Sequence, residues 1–431
     1  MFTTLKNAFK DKDIRKKILL TFFLILLFRL GSWLPVPGIE PSLFAAQTES
    51  GFLALLSGLS GGALGNGAFL ALGVSPYISA SIIIQLLTVA IPSLERLSKL
   101  GEEGKKKLAK YTKVTALFLS VANAIGIVVS FGNQGGINTA LFGASSPAWL
   151  ASAFVALVLT AGGMFTYWIG EKISEIGIGN GLSLLIFVGI LSTAGTAMLQ
   201  SVQNVIDSSI DDLWSILIFL TALILIFGLI VFIDLSERKI PVQYAKQIKG
   251  RKMYGGQSTY IPVRVNGSGV LPIIFAMSIL AFPQLIMSIF WPTSSFYNWY
   301  QTYLGTGTWV YSILVGLLIL FFAYFYSQIS FNPADVSKHI QQNGGFIPGI
   351  RAGKPTADYL TKISKRITLF GAIFLAFIAI VPTLIFKAIG NSALIGAFSA
   401  TGMLIVVSVA LEFNKQLEAQ MLMKNYKGFL K

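Results

Sequence analysis

The sequence predicts an all-α membrane protein that crosses the bilayer many times. Of its 431 residues, 54% are hydrophobic and only 12% are charged, whereas ordinary soluble domains carry roughly 25% charged residues. Such a chain has too few polar groups to cover a soluble surface. Ten apolar stretches are also close to the length of about 20 residues that a helix needs to cross a bilayer. These observations exclude a soluble enzyme, a disordered chain and a disulfide-stapled secreted domain.

The ten predicted spans also have a predicted orientation. If the N-terminus is cytoplasmic, 31 of the 33 Lys and Arg lie in cytoplasmic segments; the other two are Lys387 and Arg29. The positive-inside rule therefore places both termini in the cytoplasm. Arg29 lies inside the first span, close enough to its outer end that we expect its side chain to snorkel. The spans are roughly 18–36, 74–92, 114–132, 148–169, 182–200, 213–233, 270–290, 308–329, 367–386 and 394–411.

One apolar stretch, residues 51–73, is a poor candidate for a spanning helix. It contains seven glycines, and each glycine weakens a helix by roughly 1 kcal/mol relative to alanine. Irregular backbone at membrane depth is tolerated only where protein or a water-filled cavity surrounds it. Two interpretations stay open at this level: a re-entrant element that lines an internal cavity, and an exterior loop.

An internal repeat divides the chain in two. Residues 73–80 (GVSPYISA) match residues 269–276 (GVLPIIFA) at five of eight positions, and each stretch opens a span. These are the second and seventh spans. A unit of five spans must be inverted when it is repeated, because five is odd, and inverted repeats place the functional site at their interface. We therefore predict an N-terminal half, 1–200, and a C-terminal half, 201–431.

The spans contain polar residues but no carboxylate in their interior. Ion-coupled secondary transporters with inverted repeats usually depend on buried carboxylates, so that alternative is disfavoured. Gln85, Asn123 and Ser278 are expected to hydrogen-bond between helices and could form a seam that opens more readily than an apolar one. The chain has no cysteine and one histidine, His339. We expect no catalytic residue, no metal and no cofactor, so any nucleotide hydrolysis is expected to occur on a partner.

Two loops on the predicted cytoplasmic side, 234–268 and 331–366, are too long to be mere connections. Both mix basic residues with aromatic residues, proline and glycine, a pattern that favours ordered, protruding hairpins. One interpretation is an orientation signal with added attraction to anionic lipid. The favoured interpretation is a docking surface for an acidic protein or for ribosomal RNA, whose phosphates attract basic loops.

Several motifs resemble the SecY family, the large subunits of the bacterial protein-conducting channel, and the resemblance covers nearly the whole chain in order and spacing. The two longest are residues 73–87 (GVSPYISASIIIQLL) and residues 168–181 (WIGEKISEIGIGNG). The others are RLGS at 29–32, PVPG at 35–38, VNGSGV at 265–270 and FIPGIR at 346–351.

The resemblance implies ten helices in two inverted five-helix halves around a central pore, with a re-entrant plug at about 51–73. The implied plug residues are Leu55, Leu56, Ser60, Gly61, Gly62 and Leu64. The implied ring of apolar side chains at the constriction is Val74, Ile78, Leu182, Ile186, Ile274 and Ile405. Val74 and Leu182 depart conservatively from an all-isoleucine ring.

The resemblance also implies a site of action and partners. The function would be to pass unfolded, signal-bearing polypeptides across the bacterial plasma membrane and to release transmembrane segments sideways into lipid. The implied lateral gate includes Gln85, Asn123 and Ser278. SecE would clamp the two halves, with SecG at the periphery. The SecA ATPase or the ribosome would dock on Arg238, Lys239, Arg251, Lys252 and Arg351.

Overall fold

Long helices dominate the computed structural model, which describes residues 9, 11–42, 44, 57–58, 60–132, 136–137, 147–207, 210–244, 247–249, 252–254, 258–290, 294–305, 308–389 and 400–429. Their bounds are α1 Lys12–Gly31, α2 Ser75–Ala90, α3 Pro92–Lys99, α4 Glu102–Gly132, α5 Ala148–Ile176, α6 Gly181–Asp207, α7 Ile210–Leu235, α8 Leu271–Phe290, α9 Ser295–Leu304, α10 Trp309–Ser330, α11 Pro333–Gln342, α12 Lys354–Ile389 and α13 Ala400–Phe429. The strands are β1 Glu237–Tyr244, β2 Gln247–Lys249, β3 Lys252–Tyr254, β4 Ser258–Arg264 and β5 Gly345–Phe346.

Among these, ten helices of 16 residues or more overlap the ten predicted spans: α1, α2, α4 to α8, α10, α12 and α13. Within the described residues, six helices are individually long and apolar enough to cross a membrane, and the bent pair α2–α3 makes seven. The bend of 103° falls before Pro92, which lacks the N–H needed to continue the helix. The start of the tenth predicted span, 394–399, lies outside the described residues.

Some predicted loop boundaries are wrong. Helix α12 begins at Lys354, inside the predicted loop 331–366, and α4 begins at Glu102, twelve residues before the predicted span 114–132. Helix α4 opens with the charged residues EEGKKK, and α12 carries Lys354, Asp358 and Lys362 in its first nine residues. Charged residues lower the hydropathy that marks a membrane span, but a helix accommodates them easily outside the bilayer. The loop 331–366 is therefore helical at both ends.

The helices pack as two groups. In the N-terminal group α4 packs against α2 and α5, and α5 packs against α1 and α6. In the C-terminal group α10 packs against α8 and α12, and α13 packs against α7 and α12. The groups meet along two seams. At the back seam α6 contacts α7 and α13; at the front seam α4 contacts α8, and α2 contacts α8 and α10 through an aromatic cluster.

The two long loops combine into one small unit, the β module, formed by β1 to β5, α11 and residues 347–353, which connect β5 to α12. β1 pairs antiparallel with β4 from Glu237↔Arg264 onward, and it also pairs with β5 through Gln243↔Phe346. Ile240 and Val242 alternate inward along β1 and pack with Ile340 and Leu360, as alternation on a half-buried strand predicts. The predicted hairpin of the first loop is confirmed. The hairpin predicted for the second loop is wrong: within the described residues that loop contributes only the short strand β5, which pairs with β1 of the first loop.

Candidate functional site

The six residues of the implied ring come together in one packed apolar cluster. Five of them lie on four helices, Val74 directly precedes α2, and together they span more than 300 positions in the sequence. Val74, Ile186 and Ile405 are buried to 7% exposure or less. The other three, Ile78, Leu182 and Ile274, pack against the same cluster. Both helix groups contribute side chains, so the cluster lies where the two halves face each other. Its role as a pore constriction stays a prediction.

The described part of the glycine-rich stretch, 57–58 and 60–73, is packed into the N-terminal group. Leu64, Ala68 and Leu70 are fully buried, and a series of turns replaces a helix. The Phe69 N–H donates to the Leu34 carbonyl at 2.8 Å, which ties the segment to the chain that follows α1. This packing favours the interior of the protein over an exterior loop.

Among the implied plug residues, Ser60, Gly61, Gly62 and Leu64 lie in this packed segment, and Ser60 is 1% exposed. The Ser60 hydroxyl donates to the Ser57 carbonyl at 3.1 Å. Leu55 and Leu56 lie outside the described residues. The described residues 57–58 and 60–73 are called the plug from here on, and their role in closing a channel stays a prediction.

Arg29 does not snorkel as predicted; it turns inward. One guanidinium nitrogen, Nη1, donates to the Gly61 carbonyl at 3.2 Å, and Nη2 donates to the Ser192 hydroxyl on α6. The prediction rested on the position of Arg29 near the outer end of its own helix. It was wrong because the plug and α6 supply acceptors beside the guanidinium, which removes the need to reach water.

The front seam contains a hydrogen bond between the two helix groups. The Tyr326 hydroxyl on α10 donates to Gln85 Oε1 on α2 at 3.1 Å, and Tyr326 is only 5% exposed. The Gln85 amide donates to Ser81 on its own helix at 3.3 Å. Ser278 donates to the Ile274 carbonyl, also on its own helix. Of the three polar residues predicted to join helices, Gln85 does so in this structure.

An aromatic cluster surrounds that hydrogen bond. Phe275 on α8 lies 5.2 Å from Phe322 and 5.0 Å from Tyr326, measured between ring centroids. Ile82 and Leu86 of α2 pack against the same rings. Asn123 on α4 is partly exposed and belongs to the helix that meets α8. The front seam is therefore apolar with a small polar centre.

The β module presents the predicted docking residues at its surface. Arg238, Lys239 and Arg351 are exposed, and the Lys239 ammonium lies 4.8 Å from the centre of the Tyr260 ring. The Arg351 loop is ordered: its carbonyl accepts from the Thr356 hydroxyl at 2.8 Å. Arg251 lies outside the described residues, and of Lys252 the structure describes the backbone, paired with Lys249 in the β2–β3 hairpin.

Tyr326 and Ser192 were missed by the sequence analysis. Each is one of many hydroxyl residues in an apolar helix, and its partner is more than 160 positions away in the sequence. No local pattern distinguishes such residues. In the described part of the chain no group of three His, Cys, Asp or Glu side chains could hold a metal ion.

These features define a class of protein: a multi-pass membrane protein in which two helical halves enclose an apolar cluster that a packed, irregular segment adjoins. The comparisons with known proteins identify the family. The SecY family model matches residues 68–414. The protein translocase subunit SecY of Streptomyces coelicolor is 40% identical over the full length of both chains, and that of Corynebacterium glutamicum is 39% identical over 99% of each. The chain belongs to the SecY family.

Solved structures agree on the fold. A structure described as a protein-conducting channel shares 20% identity with a TM-score of 0.64, covering 94% of this chain and 92% of that one. Sec61 in the canine ribosome–channel complex from the endoplasmic reticulum shares 19% identity with a TM-score of 0.60 over the same shares of both chains. The predicted all-α channel fold is confirmed, and the relatives place this multi-pass protein in a bacterial membrane.

Proposed function

We propose that the chain is the central subunit of a protein-conducting channel, which passes unfolded, signal-bearing polypeptides across the bacterial plasma membrane and releases transmembrane segments into lipid. The observation that carries this proposal is the single apolar cluster formed by Val74, Ile186 and Ile405 with the three other ring residues. Full-length relatives named as protein translocase subunits support it. An ion-coupled transporter is disfavoured, because the predicted spans contain no interior carboxylate.

An apolar ring explains how such a channel stays tight to ions. A narrow hydrophobic constriction excludes water and therefore ions, without any charged gate. Isoleucine, leucine and valine side chains can move apart around an extended polypeptide and pack again afterwards. The plug precedes the ring directly in the chain, since Gly73 is followed by the ring residue Val74. We infer that ring and plug together close the resting channel.

The front seam is the proposed lateral gate. The chain passes from one half to the other between α6 and α7, at the back seam, so the halves can part at the front without stretching the backbone. A leucine-rich segment gains about 0.3–0.6 kcal/mol per apolar residue on entering lipid. The Tyr326–Gln85 hydrogen bond opposes opening by a modest amount, because a neutral hydrogen bond contributes only about 0.5–1.5 kcal/mol.

The β module is the proposed docking surface for a cytoplasmic motor. Its exposed Arg238, Lys239 and Arg351 can attract an acidic protein or the phosphates of ribosomal RNA. The solved relative Sec61 is described in a ribosome–channel complex, which supports a ribosome as one partner. We propose the SecA ATPase as the other, with SecE and SecG as companion subunits and both termini in the cytoplasm.

Cross-linking tests the channel directly, since the chain has no native cysteine. A single cysteine is introduced by Ile78→Cys or Ile405→Cys, and a polypeptide carrying one cysteine is stalled during translocation. We expect disulfide adducts at both ring positions. The control is Ile319→Cys, a fully buried position on α10 in a different cluster, which should give none. Absence of adducts at both ring positions, or equal adducts at position 319, would overturn the assignment.

A further inference from the structure

Arg29 is the charged side chain that the sequence places inside a predicted span, and its environment in the structure is specific. A cation at membrane depth is costly unless protein groups or water replace its hydration. Its two hydrogen bonds, described above, go to acceptors on different parts of the molecule: the Gly61 carbonyl in the plug and the Ser192 hydroxyl in α6. In the described part of the chain, the ion pairs involve other residues.

The plug backbone at Gly61 fits closely around this guanidinium. A Cβ atom at position 61 would lie 2.5 Å from Arg29 Nη1 and 2.9 Å from the Gly189 Cα atom of α6. Gly61 also has φ +73°, a conformation that glycine adopts without strain. The plug therefore lies directly on α6 at this point, with the Arg29 side chain at the edge of the contact.

Helix α6 connects this contact to the ring. It carries the ring residue Ile186 and the hydrogen-bond acceptor Ser192. Six residues of α-helix correspond to about 9 Å along its axis. A displacement of α6 that widens the ring would therefore also displace Ser192 from Arg29.

We propose that Arg29 is a latch that holds the plug in the closed channel and that is released when α6 moves. In the closed state the guanidinium bridges the plug and α6, so both of its acceptors are in place. Movement of either one breaks a charge-assisted hydrogen bond, a strong class of hydrogen bond in proteins. Arg29 thus sets how firmly the resting channel is closed and which substrates open it. This inference rests on the proposed channel function.

The test measures exposure of the plug without any substrate. Ala63→Cys places a thiol at a fully buried plug position, and Ala151→Cys places one at a position on α5 that is 1% exposed. Each is modified with a small water-soluble maleimide in the channel complex reconstituted in vesicles. Adding Arg29→Leu should accelerate modification at position 63 about tenfold or more. Losing a hydrogen bond to a charged group shifts the equilibrium between the packed and the displaced plug by about that factor. Position 151 should be unaffected.

Matched variants distinguish loss of the Arg29 hydrogen bonds from the mere loss of a positive charge on the helix. Arg15→Gln changes an exposed arginine of the same helix and should leave position 63 protected. Ser192→Ala removes one acceptor and should give an intermediate rate. Unchanged modification at position 63 in Arg29→Leu overturns the proposal, and so does parallel acceleration at position 151, which would indicate a loosened fold. Failure of the channel function itself is a separate result, seen as missing cross-links at Ile78 and Ile405 in the otherwise native chain.

Discussion

The connection between the first two long helices of each half has opposite character in the two halves. In the N-terminal half it contains the plug, which has no charged residue and whose Leu64 and Leu70 are fully buried. In the C-terminal half it is the hairpin of β1 to β4, whose Arg238 and Lys239 are exposed. Five predicted spans separate the two connections, so we expect them to face opposite sides of the membrane.

This difference shows how local sequence gives two equivalent connections of one helical framework different structures. Glycine and small apolar residues allow a connection to fold back between helices, because backbones can approach closely where no Cβ intervenes. Alternating β-branched residues and basic residues instead favour a strand that buries one face and exposes the other. Under the proposed function, the packed glycine-rich connection would help to close the channel, and the exposed basic hairpin would contact cytoplasmic partners.

The largest expected effect is on stability, from a substitution that disrupts the packing of the plug against α5. Gly162 on α5 touches the plug so closely that an added Cβ would overlap the Phe69 carbonyl oxygen. Gly162→Ala should therefore lower the thermal unfolding temperature of the purified channel complex, by the equivalent of about 1–3 kcal/mol of overpacking. The matched change Gly228→Ala on α7 meets no atom within 4 Å and should be neutral or slightly stabilising. Equal effects at both glycines would contradict the close contact.

An intermediate effect is expected on the module side. Arg351→Glu reverses an exposed charge in an ordered loop and should slow motor-driven secretion, on the order of tenfold, because a like charge facing an acidic partner is repelled. Thermal stability should not change. Lys338→Glu reverses another exposed charge on the same module and serves as the control. Equal loss of secretion in both variants would indicate a nonspecific effect of the module's net charge rather than docking at Arg351.

The smallest effect concerns the front seam that separates the two halves. Tyr326→Phe removes only the hydroxyl that donates to Gln85 and should favour the open gate by about 0.5–1.5 kcal/mol. Membrane segments of marginal hydrophobicity should then insert more efficiently in an insertion assay. Tyr324→Phe removes a hydroxyl that donates to the Lys365 carbonyl at 3.3 Å within the C-terminal half. Insertion that responds equally to both variants would argue against a role for the Tyr326–Gln85 bond.

Much of the fold could be predicted from the sequence, because hydropathy and charge act locally. Each predicted span depends on about 20 consecutive residues, and the ten long helices lie where those spans were predicted. The hairpin of 234–268 was likewise foreseen from its composition. The start of α12 at Lys354 was not predicted, because a hydropathy pattern does not distinguish charged residues at the end of a helix from those of a loop.

The sites were predictable only in part. The ring residues were named through resemblance, and the structure brings all six into one cluster. Arg29 was noticed as a charge in a span but was expected to face outward. Its inward direction depends on Gly61, 32 residues away, and on Ser192, 163 residues away. Tyr326 was missed for the same reason, since its partner Gln85 is 241 residues distant.

By itself, the sequence determined the class of protein, the approximate positions of its helices and the segments in which its positive charge lies. These follow from the cost of placing polar backbone and charged side chains in lipid, which each stretch of chain meets on its own. Only the tertiary structure decided which surfaces meet: the pairing of two distant loops into the β module, the packing of the plug and the partners of Arg29 and Tyr326. Those contacts depend on distances between residues far apart in the chain, which no local pattern encodes.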